Sequence, residues 1–112
     1  MAENRRIVVT GLGVVSPVGS TLDSFWAAIQ AGENGIGPIT YFDTAAFDTK
    51  FAGQVKGFNV EDFMSKKEAR HLDPFCHYGI AAAKMAVDDS GLDMAKEDAT
   101  RVGVVAASGV GG

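Results

Sequence analysis

The sequence predicts an α/β domain built around a parallel sheet. Two short runs rich in β-branched residues, at 6–11 and 102–107, have the composition of strands that are buried on both faces. Between them lie segments with the apolar spacing of helices, and strands joined through helices are typically parallel with a right-handed crossover. The chain has 112 residues, which is enough for one domain.

A first helix is predicted after the glycine-rich loop that follows residues 6–11. Ser20 or Thr21 can begin it, because a hydroxyl oxygen accepts hydrogen bonds from the free amides of the first turn. Gly32 has the position of a glycine that ends a helix. One face carries apolar residues at i, i+3, i+4 and i+7, namely Leu22, Phe25, Trp26 and Ile29.

An irregular segment is predicted at 33–57, with one short strand at 51–55.

A helical stretch with a basic polar face is predicted at 60–71. A further helix should begin at Asp73-Pro74, since proline suits the first turn, and should run to about Ser90. Its apolar stripe predicts a buried core helix and consists of Phe75, Cys76, Gly79, Ile80, Ala83 and Val87.

Composition narrows the class of protein. The net charge of −4, from 14 acidic and 10 basic residues, does not suit a general nucleic-acid binder. No run approaches the ~20 apolar residues of a membrane span. The single cysteine excludes an intrachain disulfide, which is typical of a cytoplasmic protein. From these three observations together, we expect a cytoplasmic protein that binds neither nucleic acid nor membrane.

The residues alone indicate no catalytic or cofactor site. Residues 11–16 carry two glycines of a dinucleotide-binding pattern, but Ser16 takes the third position, which favours a structural turn. Cys76 and His77 are adjacent in a predicted helix and point about 100° apart, so they are not a nucleophile and its base. Neither His71 nor His77 has a partner at metal-ligand spacing.

Six segments of the chain closely resemble the N-terminal part of the β-ketoacyl-acyl carrier protein synthase II family, the elongating condensing enzymes of fatty acid synthesis. They occur in the family's order and span essentially the whole sequence. The segments are residues 5–19, 42–44, 50–53, 65–70, 88–92 and 108–112.

The resemblance implies a thiolase-like fold, of which residues 1–112 would be the incomplete N-terminal half. It also implies a cytoplasmic homodimer that needs no cofactor. Family members move an acyl group from acyl carrier protein to a cysteine, then condense it with malonyl-carrier as CO₂ leaves. The family's cysteine and two histidines match no residue here, so we assign no catalytic residue to residues 1–112.

Two features carry over from the resemblance. Val110 matches the position at the gate of the acyl-chain pocket, where isoleucine is usual. Lys67 and Arg70 match basic residues that dock the acidic carrier protein, and with Lys66 they form what we call the basic cluster. His71 follows where another lysine is common, which weakens the basic cluster at neutral pH.

Two other functions remain open at this point. The chain could be a binding module for a carrier protein or a subunit, without chemistry of its own. It could also be the N-terminal part of a polyketide or type I ketosynthase, which the basic cluster and Val110 do not exclude. A continuation that bears a nucleophile would separate the binding module from the enzymes.

Overall fold

The first helix, α1, spans Leu22–Ala31 and follows its local signals. In this computed structural model, which describes residues 3–112, the Ser24 amide donates to Thr21 Oγ1 at 3.2 Å and the Thr21 amide donates to Ser24 Oγ at 3.2 Å. Gly32 ends the helix in the left-handed conformation, with φ of 68°. The sequence prediction for this helix, including its first cap and its last glycine, is confirmed.

A small antiparallel hairpin follows α1. Strand β1 spans Ile36–Pro38 and pairs with β2, Phe51–Gly53, so that Ile36 lies opposite Gly53. The strand at 51–55 is thus confirmed over its first three residues. Strand β1 was not predicted, because glycine and proline disfavour strands and its pairing is set by a segment about fifteen residues away.

The helical stretch predicted at 60–71 is broken into two pieces. A 3₁₀ turn covers Val60–Asp62, and a short helix, α2, covers Lys66–Ala69. The uninterrupted helix was wrong because Ser65 takes the extended conformation of a helix cap, with ψ of 150°. Its side chain begins a new helix instead of continuing the old one.

Helix α3 spans Pro74–Ser90 and ends at Gly91, as predicted. Its predicted burial is wrong, because Ala81 is the only buried residue of the helix while Phe75 and Val87 are more than 40% exposed. The apolar stripe therefore lacks the sheet that would cover it. Of the helices within residues 3–112, none combines the length and apolar character needed to cross a bilayer.

The two apolar runs that suggested a parallel sheet form no strand in the described chain. Ile7 is 95% exposed and Val105 is 99% exposed. A strand needs a neighbour to pair its backbone amides and carbonyls, and nothing in residues 3–112 lies beside either run in that way. The parallel pairing stays a prediction, and the sheet that is present within these residues is the antiparallel hairpin.

Backbone 11–13 nevertheless lies directly on α3. The Leu12 amide donates to Asp89 Oδ2 at 2.9 Å. A Cβ placed on Gly13 would overlap the Ala82 carbonyl and lie 2.9 Å from the Ala86 amide nitrogen, so the approach requires glycine.

We expect Gly13→Ala to destabilise the protein by about 1–3 kcal/mol, because the added methyl forces the loop off a rigid helix backbone. Thermal unfolding of the purified protein, followed by circular dichroism, measures the effect. Gly37→Ala is the matched control, since a Cβ there has no atom within 4 Å. Equal melting temperatures for both variants would contradict the close approach.

Candidate functional site

The basic cluster lies on α2 and its C-terminal cap, and α2 and the segment just before it are anchored to α3. The His77 ring, through Nε2, is hydrogen-bonded to the Ala69 carbonyl at 2.9 Å. Lys84 Nζ donates to the carbonyl of Phe63 at 2.7 Å, just before α2. Ala69 is the buried residue of α2. One polar contact from α3 therefore holds α2 itself, and a second holds the backbone just before it.

An aromatic cluster supports the same junction. Phe58 stacks on Phe63 with ring centroids 5.6 Å apart and meets Tyr78 of α3 edge-on at 5.2 Å. Burial raises the pKa of the Tyr78 phenol, and the nearby Tyr41 phenol shifts it in the same direction. Tyr78 is therefore neutral at physiological pH and adds no negative charge to the aromatic cluster.

Helix α2 begins with a capping box. The Ser65 amide and hydroxyl both donate to Glu68 Oε2, at 3.0 and 2.6 Å, and the Glu68 amide donates back to Ser65 Oγ at 3.2 Å. These hydrogen bonds from the Ser65 side chain and backbone lower the pKa of Glu68. Glu68 is the acidic residue nearest the basic cluster in sequence, and its carboxylate is engaged by the cap.

The three cations of the basic cluster face solvent. Lys66, Lys67 and Arg70 are all exposed. The one ion pair within 4.0 Å in residues 3–112 joins Lys96 to Asp93, so no carboxylate there forms an ion pair with the basic cluster. On a chain of net charge −4, this is a local concentration of unpaired positive charge. Such a surface can attract an acidic partner over a distance and release it quickly.

Val110 lies at the other predicted site and is fully exposed. The segment just before it runs along α3 and encloses an apolar groove of about 450 Å³. Val110 does not line this groove, so its role at the gate of an acyl pocket stays a prediction. The groove is lined mainly by the apolar stripe of α3 and the 104–108 segment, including Phe75, Gly79, Ile80, Ala83, Val104 and Ala107.

The remaining candidate residues form no second site. Cys76 was expected to be buried but is half-buried at the groove, because the stripe it belongs to is uncovered. The ring of His77 is hydrogen-bonded to the Ala69 carbonyl. In the described chain, no three His, Cys, Asp or Glu side chains gather as metal ligands. Ser16 and Gly19 bond each other through their backbones, at 2.9 and 3.3 Å, which confirms a structural turn there.

The contacts that anchor α2 were not found in the sequence. His77 and Lys84 bond backbone carbonyls eight and 21 residues away, and no spacing rule relates a side chain to such a distant carbonyl. The capping box had a local signal, the Ser-x-x-Glu pattern at 65–68, which should have suggested a helix start at Ser65.

The family match and the similar curated proteins agree on one family. Residues 4–112 match the family described as Beta-ketoacyl synthase, N-terminal domain. The 3-oxoacyl-[acyl-carrier-protein] synthase 2 of Vibrio cholerae serotype O1 is 56% identical over 108 residues, which are 96% of this chain and 26% of that protein. The protein of the same name from Staphylococcus aureus strain COL is 45% identical over 112 residues, the whole of this chain and 27% of that protein.

A solved structure agrees in fold. The chain superposes on the ishigamide ketosynthase/chain length factor with a TM-score of 0.74 and 37% identity, over 81% of this chain and 23% of that one. The present chain thus spans about a quarter of the length of the relatives it matches. The match over residues 4–112 and the shared fold show that the chain belongs to the β-ketoacyl synthase N-terminal domain family.

Proposed function

We propose that this chain acts as the N-terminal part of a 3-oxoacyl-[acyl-carrier-protein] synthase. The observation that carries the proposal is its identity of 42–56% to several synthases of that name over at least 96% of the chain. The complete enzyme would transfer an acyl group from its carrier to a cysteine thiol. Malonyl-carrier would then lose CO₂, and the resulting carbanion would attack the thioester carbonyl and release the cysteine.

The contribution of residues 3–112 to this reaction is recognition and support. The basic cluster would dock acyl carrier protein, because its exposed and unpaired cations suit an acidic partner that must arrive and leave quickly. Val110 would line the far end of the acyl pocket once the rest of the synthase encloses it. We further propose that the complete enzyme is a cytoplasmic homodimer, as its resemblance to the condensing enzymes implies.

The exposed apolar runs support a thiolase-like sheet in the complete enzyme. Gly11 and Gly13 approach the Ala86 and Ala82 carbonyls of α3, while the 104–108 segment follows a neighbouring face of the same helix. These contacts support a role for α3 as the crossover helix between the two runs in the complete enzyme. We propose that 6–11 and 102–107 become parallel strands when further strands pair with them, which would also cover Ile7 and Val105.

Activity assays of the complete synthase and of residues 1–112 alone test the proposal. The complete enzyme should lengthen acyl-carrier by a two-carbon unit with malonyl-carrier as donor. Residues 1–112 alone should give no condensation and no acylation of Cys76, since the expected nucleophile is not among them. Failure of the complete enzyme to condense, or stable labelling of Cys76 by radioactive acyl-carrier, would contradict it.

Two observations favour alternative functions. The basic cluster is complete within this chain, as a non-catalytic carrier-binding module would require. One structural relative is a ketosynthase/chain length factor, which keeps a polyketide synthase open. Carrier binding without turnover by the complete protein would favour the binding module. A product whose β-keto groups are retained through successive extensions would favour the polyketide enzyme.

A further inference from the structure

We propose that His71 makes docking of the acidic carrier protein pH-dependent, by adding a fourth cation to the basic cluster when it is protonated. This inference rests on the proposed docking function. It concerns the regulation of that surface, which neither the family match nor the names of the relatives address.

The backbone places His71 on the docking side of α2. Its amide donates to the Glu68 carbonyl at 3.1 Å, so the helical turn continues through it. The side chain is exposed and follows Arg70 directly. His71 also lies four residues after Lys67, in the hydrogen-bonded turn that directly follows α2 and its cap. A partner that contacts Lys67 and Arg70 would therefore meet the imidazole as well.

No carboxylate within the described chain lies within ion-pair distance of the His71 ring. On α2, Lys67 and Arg70 are cations, and the ionised Glu68 carboxylate is hydrogen-bonded to Ser65 at the start of the helix. Asp73 precedes α3, but within residues 3–112 neither it nor any other carboxylate lies within 4.0 Å of the His71 ring.

The remaining titratable neighbour is on α3. The ring of His77 is hydrogen-bonded to the Ala69 carbonyl at 2.9 Å and is half-buried, whereas His71 is exposed. The charge of a protonated His71 can therefore interact with a partner, because the side chain is exposed to solvent.

Histidine is the ordinary side chain whose charge changes between pH 5 and 8, while lysine and arginine stay charged there. The carboxylates of an acidic carrier also remain ionised in this range. Lowering the pH thus changes the surface from three cations to four without changing the partner. We expect carrier affinity to rise by about twofold to fivefold, the effect of one exposed charge pair.

The dissociation constant between the complete synthase and unacylated acyl carrier protein tests this inference. It is measured by calorimetry at low salt, at about pH 6 and at about pH 8. Unacylated carrier avoids turnover and so removes the titration of catalytic groups from the readout. The wild type should bind more tightly at the lower pH. H71Q should lose this difference, and H71K should bind tightly at both values.

Two outcomes would overturn the inference: a wild type with equal affinity at both pH values, or H71Q with the wild-type difference retained. A separate variant, Lys67→Glu with Arg70→Glu, tests docking itself. If that variant binds carrier as well as the wild type at both pH values, the proposed docking surface is wrong. If it binds weakly while H71Q keeps the wild-type pH difference, docking stands and the role of His71 is wrong.

Discussion

Lys67→Glu combined with Arg70→Glu should raise the KM for carrier-bound substrates by about tenfold at low salt in the complete synthase. Both side chains are exposed and unpaired within residues 3–112, so the reversal turns an attractive surface into a repulsive one without breaking an internal contact. The increase should shrink as salt is added, because surface charges are screened beyond about 10 Å at 0.1 M ionic strength. Steady-state kinetics over a series of salt concentrations measures it.

Two controls separate docking from damage to the fold. Arg5→Glu with Arg101→Glu makes the same change in net charge at two exposed positions outside the basic cluster, and neither residue forms an ion pair within residues 3–112. This control should leave the KM nearly unchanged. A small pantetheine-linked substrate needs no docking surface, so the Lys67 and Arg70 reversal should not affect its turnover. Equal losses on both substrates would mean that these residues support the fold or the active site.

Val110→Phe should reduce acylation by long-chain substrates far more than acylation by short-chain ones. If Val110 lines the far end of the acyl pocket in the complete enzyme, a phenyl ring fills space that only a long chain needs. The effect should be large, because overfilling a packed site costs about 1–3 kcal/mol. The rate of acyl transfer to the enzyme, measured over a series of chain lengths, checks the prediction.

Val110→Ile is the conservative companion to that variant. It adds one methylene, worth about 0.8 kcal/mol of burial, so it should narrow the chain-length range slightly and in the same direction. A uniform loss of activity across all chain lengths in Val110→Phe would show that Val110 fills the core and does not form a gate.

The sequence predicted the helices better than the sheet, because helix signals are local. Thr21 and Ser24 are three residues apart, and Gly32 and Gly91 each end a helix by their own left-handed conformation. A strand is different, since it exists only when a second segment pairs with it. The apolar runs at 6–11 and 102–107 have strand composition, but within residues 3–112 neither has a pairing partner.

The candidate docking surface was partly predictable for a similar reason. The spacing of Lys67 and Arg70 showed that they share a helical face. The Ser-x-x-Glu pattern at 65–68 also carried a local signal for the capping box. Sequence could not show that His77 and Lys84 hold the surrounding backbone, because those contacts are tertiary. The predicted role of Val110 is not supported in this way. Val110 is fully exposed, and a role at the gate of an acyl pocket needs surrounding residues that 3–112 do not supply.

In α2, the residues that support folding are different from the residues that carry the positive charge, and this affects how the surface can evolve. Ser65 and Glu68 begin the helix, and Ala69 is its buried residue. The side chains of the basic cluster make no hydrogen bond or ion pair to the rest of residues 3–112. Mutations at the cation positions can therefore accumulate without a loss of folding. Under the proposed docking role, lineages that diverge in their carrier proteins could adjust this surface by single substitutions, with selection acting on partner choice and not on stability.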